Sequence, residues 1–316
     1  MQYFCMKIFV AEADNEVDNE CKRFFGETNG ISLTEESLTE ENASLAKDAD
    51  ILSVFIYSKL TEGALNKMPK LKFISTRSTG YDHVDLRAAQ KKGIITSNVV
   101  GYGTLPVPEH TFALLLSLSR KIKMADRRVR EGNFDYHGLM GTQIYGKTFG
   151  VLGTGAIGTR VAELALAFGA NVLAYDVVVN RVLVDKGIKY VTLEDALKES
   201  DFVSLNLPLL PSTRGLLSES KLALMKKSAY LVNTGRGGVL DENALVKMLK
   251  EGRIAGAALD VFAEEPPRGE LLQLDNVLLS PHIGWYTDAG FSEIMKQTFE
   301  NINAFMGGKP IRVVKP

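Results

Sequence analysis

Three side chains that could bind an acid and move a proton each follow a segment predicted to be a strand. They are Arg236 after residues 230–233, Glu265 after residues 256–259, and His282 after residues 277–280. A guanidinium binds a carboxylate through two parallel hydrogen bonds, and an imidazole titrates near neutral pH. A carboxylate at Glu265 would orient the His282 ring and favour its protonated form. Ligands of open parallel sheets bind beyond the carboxyl ends of the strands, so we expect the three residues to share one site.

A glycine-rich turn lies upstream of these residues, in the run Gly153-Thr154-Gly155-Ala156-Ile157-Gly158. It follows a predicted strand at 148–152 and opens a predicted helix at 159–168, which is the context of a dinucleotide-binding turn. The phosphates of a bound dinucleotide would meet N–H groups at the start of that helix. Asp176 ends the next predicted strand, where a carboxylate binds the adenosine ribose and repels a 2′-phosphate. The pattern predicts NAD, and a glycine turn of some other α/β protein is the alternative.

A site that transfers a hydride to a 2-oxo acid needs a fixed cation for the carboxylate and a proton donor for the carbonyl oxygen. Each candidate also has an ordinary structural explanation. Arg236 could form a surface ion pair, Glu265 could be the acid of a helix start before Pro266, and His282 could be a hydrogen-bonded turn residue. Their position at successive strand ends beside a dinucleotide turn favours the functional interpretation.

A second phosphate-binding expression, G-x-x-x-x-G-K-[ST], fits residues 141–148. It requires a strand before it and a helix directly after it. Residues 137–140 are not predicted to form a strand, and Thr148 begins the strand that leads to Gly153. We therefore interpret Lys147 as a solvent-facing residue and not as a nucleotide ligand.

The elements that position these residues alternate between strands and helices, as parallel βαβ units require. The predicted strands lie at 7–10, 51–57, 73–76 and 94–97, and then at 149–152, 172–175, 202–206, 230–233, 256–259 and 277–280. A long helix at 107–127 would connect two domains. A last helix at 292–306 is predicted to return to the first domain, which would make that domain discontinuous.

The fold class predicted is α/β, with two doubly wound parallel-sheet domains. The first is a smaller flavodoxin-like, substrate-binding domain made of residues 1–104 and 285–316. The second is a Rossmann domain of residues 105–284 with a six-stranded sheet that binds NAD.

Composition describes an ordinary globular protein. The 316 residues are 45% hydrophobic and carry a net charge of −1, which gives no basic excess for nucleic acid or an anionic membrane. No apolar run approaches the length of a bilayer span, and acidic residues stand where a secretory signal would be apolar, so we expect a cytoplasmic protein. Cys5 and Cys21 have no metal-ligand spacing, and reduced thiols with no metal site are expected.

At this point the chain resembles a known family, the D-isomer-specific 2-hydroxyacid dehydrogenases, over nearly its whole length. The matching segments are Ser78-Thr79-Gly80-Tyr81-Asp82-His83-Val84-Asp85, Pro108-Glu109-His110-Thr111, the glycine turn with Asp176, Leu205-Asn206-Leu207-Pro208, Asn233-Thr234-Gly235-Arg236-Gly237, Leu259-Asp260-Val261-Phe262 through Glu265-Pro266, and Pro281-His282-Ile283-Gly284.

The resemblance implies a role for each of these segments. Arg236 would bind the substrate carboxylate and polarise the ketone, His282 would be the acid/base, and Glu265 would be its partner. Backbone N–H groups near Thr79 and Gly80 would hold the other carboxylate oxygen. The residues implied at the cofactor are Asp260 at the nicotinamide carboxamide, with Thr234, Gly235, Arg236, Asn206, Leu207, Pro208, His282 and Gly284 around it.

The chain departs from the family at Asn206, where a histidine is usual, without affecting the proposed chemistry. The other histidines, His83, His110 and His137, are all interpreted as structural, and His137 is the only one of them with a position in the sequence that could approach the site. A homodimer through the helix that starts at Val107 is implied by the resemblance.

The choice of substrate depends on three aromatic residues, Tyr57, Tyr102 and Trp285. Their positions look more like the D-lactate dehydrogenase branch than the phosphoglycerate branch, and aromatic surfaces suit a small apolar substituent. Packing of Trp285 and Tyr286 at a hinge is the alternative. The end at Pro316 would leave no room for the regulatory domain of many phosphoglycerate dehydrogenases.

Several rival functions are compatible with this fold. A glyoxylate or hydroxypyruvate reductase, or an enzyme of the phosphoglycerate type, would share the same chemistry. Formate dehydrogenases usually carry glutamine where Glu265 stands, which argues against that branch. An NAD-sensing corepressor could keep the fold and the residues, but such proteins carry long tails, which are not expected here.

Overall fold

A computed structural model describes residues 6–26 and 30–316, and Cys5 lies outside these residues. The chain divides into two compact units: Met1–Tyr102 with Thr287–Pro316, and Gly103–Tyr286. The predicted boundaries, after residue 104 and before residue 285, differ from these by two residues each. In the described part of the chain, no helix is long and apolar enough to cross a membrane.

The first unit is a parallel sheet with helices on both faces. Its elements are β1 (Ile8–Val10), α1 (Asn15–Phe25), β2 (Ile31–Leu33), β3 (Ile51–Val54), α2 (Glu62–Asn66), β4 (Phe73–Thr76), α3 (Leu86–Lys91) and β5 (Ile95–Ser97), with a 3₁₀ turn at Ala43–Ala46. The strand order is β2-β1-β3-β4-β5, and all described pairs are parallel.

The second unit is a larger parallel sheet. Its elements are α4 (Pro106–Ser119), α5 (Ile122–Arg130), β6 (Thr148–Leu152), α6 (Ala156–Ala167), β7 (Asn171–Tyr175), α7 (Arg181–Asp185), β8 (Lys189–Tyr190), α8 (Leu193–Glu199), β9 (Phe202–Leu205), α9 (Glu219–Leu222), β10 (Tyr230–Asn233), α10 (Glu242–Lys250), β11 (Gly256–Leu259) and β12 (Val277–Leu279), with 3₁₀ turns at Gly237–Val239 and Glu270–Gln273. The strand order is β12-β11-β10-β9-β6-β7-β8. The doubly wound α/β class predicted from the sequence is confirmed.

The last helix, α11 (Asp288–Met306), packs on the first sheet. Its Phe305 ring stacks on Phe73 of β4 at a centroid distance of 4.4 Å. Alternate residues of the buried strands serve the two faces, since Ile8 and Val10 join the cluster with α11 while Phe9 joins the cluster on the other face. Burial on both faces explains why these strands are continuous apolar runs.

The single long helix predicted at 107–127 is wrong, because the chain forms two helices there. Lys121 adopts a left-handed conformation (φ 55°) between α4 and α5. The carbonyl of Ser119 accepts a hydrogen bond from the N–H of Thr142 at 2.9 Å, so a distant segment satisfies the end of α4. The two helices also differ in burial: α4 buries Phe112 and Leu115, whereas α5 buries no residue.

Two short edge strands were not predicted. β2 adds a fifth strand to the first sheet, and β8 adds a seventh to the second in place of the six expected. Each has only two or three residues and is mostly exposed, so neither carries an apolar run that a sequence pattern could reveal.

Candidate active site

The glycine turn connects β6 to α6 through a close backbone contact. Gly153 has a φ of +94°, and a Cβ at Gly158 would lie 1.8 Å from the carbonyl oxygen of Gly153. Both positions therefore require glycine. Gly155 precedes α6 with no side-chain cap, and a Cβ built there would meet no atom within 4 Å. Open space before uncapped N–H groups fits the pyrophosphate of a dinucleotide.

Asp176 directly follows β7 and contacts this turn. Its Oδ2 accepts hydrogen bonds from the N–H of Thr154 at 2.6 Å and from the Thr154 hydroxyl at 3.2 Å. The residues after Asp176 are exposed valines, and Val177 is 91% exposed. An acid followed by apolar side chains suits an unphosphorylated ribose.

The segment after β9 contacts the glycine turn, and the segment after β10 contacts helix α4. A Cβ at Gly153 would be 2.8 Å from the backbone carbon of Asn206, so the segment Asn206-Leu207-Pro208 runs against the glycine turn. The Asn206 amide bonds to Ser204 on its own strand. The hydroxyl of Thr234 is 2.7 Å from that of Thr111 in α4, which holds the β10 end against the linking helix.

Asp260, at the end of β11, organises the segment that carries His282. Its carboxylate accepts hydrogen bonds from the Ser280 hydroxyl at 2.6 Å and from the N–H groups of Ile283 at 2.9 Å and Gly284 at 2.8 Å. The Nε2 atom of His110 lies 3.3 Å from the same carboxylate. Burial raises the pKa of Asp260, but the hydrogen bonds from His110, Ser280, Ile283 and Gly284 outweigh it and hold the pKa below its usual value.

His282 and Glu265 form the acid–imidazole pair expected from the sequence. Nδ1 of His282 is 2.9 Å from Oε2 and 3.2 Å from Oε1 of Glu265, and both side chains are about four-fifths buried (19% and 23% exposed). Because a carboxylate only accepts hydrogen bonds, the shared proton belongs to Nδ1, and Nε2 is the ring nitrogen turned away from Glu265. His282 has a φ of +56°, a left-handed conformation that the bonds to Asp260 hold in place.

Arg236 follows β10 and is partly buried. Its guanidinium donates to the carbonyl of Gly235 at 2.9 Å, and its own carbonyl accepts from the Asn233 amide at 3.2 Å. A Cβ at Gly237 would lie 1.9 Å from the backbone of Phe262. Glycine at that position therefore lets the loop of Arg236 lie directly on the segment that leads to Glu265.

The three residues predicted to act together thus follow three neighbouring strands. Arg236 follows β10, Glu265 follows β11 and His282 follows β12. Glu265 is not at a helix start, since residues 266–269, directly after it, form no helix. Within the described chain, no group of three or more His, Cys, Asp or Glu side chains is arranged to hold a metal ion.

In the first unit, the predicted substrate residues follow β3 to β5. The N–H of Thr79 lies 3.4 Å from the hydroxyl oxygen of Tyr102, and Asn98 donates to the carbonyl of Thr79 at 2.8 Å. The carbonyl of Gly80 accepts from the Ser78 hydroxyl at 2.6 Å. The side chain of Tyr57 is 46% exposed.

Sequence reasoning missed two charged side chains of the first unit, Glu12 and Arg77, that bond to its backbone. Glu12 has a φ of +53°, and its carboxylate accepts hydrogen bonds from the N–H groups of Phe55 at 2.7 Å and Tyr57 at 2.8 Å. Arg77 is 2% exposed and donates to the carbonyls of Ala11 and Glu12, each at 2.7 Å. Burial lowers the pKa of the Arg77 guanidinium, and the Glu12 carboxylate opposes this.

His110 was interpreted as structural, and the structure adds the contacts that it makes. His110 contacts Ser280 at 3.0 Å and Asp260, so it belongs to the cluster around the His282 segment. The segment Pro108-Glu109-His110-Thr111 was the available signal. His137, also interpreted as structural, is exposed and pairs with Asp135 in its own loop.

The side chain of Trp285 bonds to the backbone of His282, three positions earlier. Its indole N–H donates to the carbonyl of His282 at 3.0 Å, and its ring meets that of Tyr286 edge to face at 5.1 Å. The sequence predicted a substrate contact or a hinge contact here. Neither includes this bond, through which Trp285 helps to fix the backbone of His282.

Comparisons with known proteins agree with this geometry. Residues 112–284 match the NAD-binding domain of the D-isomer specific 2-hydroxyacid dehydrogenases. The chain is 41% identical to a glyoxylate reductase of Korarchaeum cryptofilum over 271 residues, covering 83% of this chain and 81% of that protein. It is 42% identical to a D-3-phosphoglycerate dehydrogenase of Methanocaldococcus jannaschii over 259 residues, covering 81% of this chain and 49% of that protein, so it spans about half the length of that relative.

A solved structure is similar over almost the whole chain. The D-lactate dehydrogenase of Aquifex aeolicus, complexed with NAD and lactic acid, is 36% identical with a TM-score of 0.89, and the match covers 96% of both chains. The family match spans the glycine turn, Asp176, Arg236, Glu265 and His282. The chain belongs to the NAD-dependent, D-isomer-specific 2-hydroxyacid dehydrogenase family.

Proposed function

We propose that this protein interconverts a small, unphosphorylated 2-oxo acid and its D-2-hydroxy acid, in the manner of a D-lactate dehydrogenase. The observation that carries the proposal is the His282–Glu265 pair, with Nδ1 and Oε2 2.9 Å apart, beside a strand end that supplies Arg236. A proton donor after β12 and a cation after β10 match the ketone oxygen and the carboxylate that a 2-oxo acid presents.

Each of these residues has a defined task in the proposed mechanism. NAD, when bound, supplies the hydride acceptor or donor. In reduction, His282 donates its Nε2 proton to the carbonyl oxygen while the carbonyl carbon receives the hydride. Glu265 orients the ring through its contact with Nδ1. Arg236 binds the carboxylate and polarises the ketone, for which the planar guanidinium is suited.

The two units have distinct proposed roles. The second unit would bind NAD through Gly153, Thr154, Gly155, Ala156, Ile157, Gly158, Asp176, Asn206, Leu207, Pro208, Thr234, Gly235, Asp260 and Gly284. The first unit would bind the substrate, with the N–H groups of Thr79 and Gly80 at the carboxylate. Tyr57, Tyr102 and Trp285 would contact the substituent. None of these aromatic side chains offers the fixed cation that a phosphate requires.

A homodimer is part of the proposal, with its interface on the second half of the region predicted as one helix, 107–127, and on the loop after it. Helix α4, which starts near Val107, is largely buried within its own unit. The large apolar side chains exposed nearby lie on α5 and the loop after it: Ile122, Val129, Phe134, Tyr136, Met140 and Tyr145. Clustered apolar exposure of this kind marks an interface. Sedimentation of the purified chain would test the dimer.

A glyoxylate reductase is the second candidate, because several relatives with that name are about 40% identical to the chain. One experiment separates the candidates: steady-state reduction of pyruvate, glyoxylate, hydroxypyruvate, phenylpyruvate and phosphohydroxypyruvate, followed by NADH absorbance. We expect the highest kcat/KM with pyruvate or a somewhat larger unphosphorylated acid. Preference for glyoxylate or for phosphohydroxypyruvate would replace the substrate assignment. NADH binding without turnover of any acid would favour a binding protein.

A further inference from the structure

A chain of hydrogen bonds with a single direction ends on Asp176. The N–H of Asn180 donates to the Tyr190 hydroxyl at 3.0 Å, and Tyr190 donates to the hydroxyl of Thr154 at 2.9 Å. Thr154 in turn donates to Oδ2 of Asp176 at 3.2 Å. Each hydroxyl accepts one bond and donates the next, so every proton points towards the carboxylate. Hydrogen bonds aligned in this way strengthen one another.

A second path ties the same loop to the glycine turn. The side-chain amide of Asn180 donates to the Thr159 hydroxyl at 3.0 Å, and Thr159 donates to the carbonyl of Thr154 at 2.9 Å. Thr159 lies in the first turn of α6. Residues 176–180 are therefore anchored at both ends, although the valines between them are exposed.

The bonds divide the two oxygens of Asp176 unequally. Oδ2 receives two donors from Thr154, the N–H at 2.6 Å and the hydroxyl at 3.2 Å. Oδ1 receives a longer bond, from the N–H of Val178 at 3.2 Å. Oδ1 thus keeps capacity to accept from a ligand hydroxyl, and the bonds to Oδ2 fix where it lies.

We propose that Thr154 and Tyr190 are positioning residues that hold Asp176 for the adenosine ribose and so set the preference for NADH over NADPH. The proposal rests on the role of Asp176 proposed above. A carboxylate held in place costs less to order when the ribose binds, and it keeps its charge where a 2′-phosphate would lie. This role would also account for the two-residue edge strand β8, since that strand carries Tyr190.

The test measures the Kd of NADH and of NADPH by fluorescence titration, so it needs no knowledge of the acid substrate. Tyr190→Phe and Thr154→Val remove one hydroxyl each and keep the shape of the side chain. Thr154→Ser restores the hydroxyl. Tyr230→Phe is the matched control, because Tyr230 starts β10 at the amino end of the same sheet.

We expect Tyr190→Phe and Thr154→Val each to raise the Kd of NADH by about threefold to tenfold, the effect of one hydrogen bond. The Kd of NADPH should change less, so the ratio of the two Kd values falls. The double variant should be no worse than the poorer single variant, since both break one chain. Thr154→Ser should recover most of the NADH preference that Thr154→Val loses, and Tyr230→Phe should match the wild type.

Three results would overturn the inference: Tyr190→Phe indistinguishable from Tyr230→Phe, equal weakening of both cofactors, or additive effects in the double variant. Asp176→Ala distinguishes this failure from that of the proposed role. If Asp176→Ala lowers NADH preference while the hydroxyl variants do not, only the positioning fails. If Asp176→Ala also leaves the preference unchanged, the role of Asp176 itself is wrong.

Discussion

The two units use charged side chains at their strand ends in different ways. In the first unit, the Glu12 carboxylate and the Arg77 guanidinium bond mainly to backbone groups and so fix the course of loops. In the second unit, the Glu265 carboxylate pairs with the ring of His282, and Asp260 collects donors from both side chains and backbone. The first arrangement fixes the conformation of the backbone, and the second also orients an imidazole ring. Substitutions should therefore affect binding in the first unit and chemistry in the second.

The largest expected effect is on proton transfer. We expect His282→Gln to lower kcat for reduction by about 10²-fold or more, because the donor to the carbonyl oxygen is lost. Glu265→Gln should lower kcat less, since the ring remains but loses the carboxylate that orients it through Nδ1. The measurement is kcat of both variants at saturating NADH and 2-oxo acid. A wild-type kcat in His282→Gln would place the proton donor elsewhere.

The next effect concerns Asp260. Asp260→Asn replaces one carboxylate oxygen with an NH₂ group, so the donors that faced this oxygen lose their acceptor. We therefore expect the free energy of unfolding to fall by about 2–3 kcal/mol. The exposed Asp275 provides the control, because Asp275→Asn should change little. Denaturation by urea measures both.

The pH dependence of this loss has a defined sign. The lowered pKa of Asp260 means that the folded state favours the carboxylate, so its contribution is complete above the ordinary value of about 4 and is lost as the pH falls through the lowered pKa. The stability difference between wild type and Asp260→Asn should therefore narrow in acid. A difference that stayed constant down to the lowest pH at which the protein folds would contradict this account of the carboxylate.

A smaller effect is expected at Glu12. Four donors share its two oxygens, namely the N–H groups of Phe55, Tyr57 and Ser58 and the Ser58 hydroxyl. Glu12→Gln leaves some of them without an acceptor, and we expect faster hydrogen exchange at residues 55–58. The KM for the 2-oxo acid should rise several-fold with little change in kcat. Glu62→Gln, in the first turn of α2, is the control. A change in kcat alone would mean that the first unit also contributes to the chemistry.

The same contrast explains how much could be predicted from the sequence. The bounds of β4, β10 and β11 were predicted to the residue, because each is a buried run of four residues between polar segments. The break between α4 and α5 was not, since it depends on Lys121 and on a hydrogen bond from residue 142.

The candidate site divides in the same way. His282 and Glu265 were found because their chemical types at strand ends suggest a reaction. Glu12, Arg77 and Tyr190 were missed, because each acts through partners far away in the chain, and a single sequence holds no local pattern for such contacts. Only the folded structure brings each of these three residues to its partners.

The smallest expected effect, at Trp285, tests whether one residue both shapes the substrate site and supports the chemistry. Trp285→Phe keeps an aromatic ring but loses the N–H that donates to the carbonyl of His282 at 3.0 Å, and Trp285→Ala loses both. If the ring contacts the substrate, only the alanine variant should shift kcat/KM towards phenylpyruvate relative to pyruvate, by about 1–3 kcal/mol. If the hydrogen bond matters instead, both variants should lower kcat by a few-fold with an unaltered preference. We expect the shift in preference with alanine and a slight fall in kcat with both, and an alanine variant that kept the wild-type preference would remove Trp285 from the proposed substrate contacts.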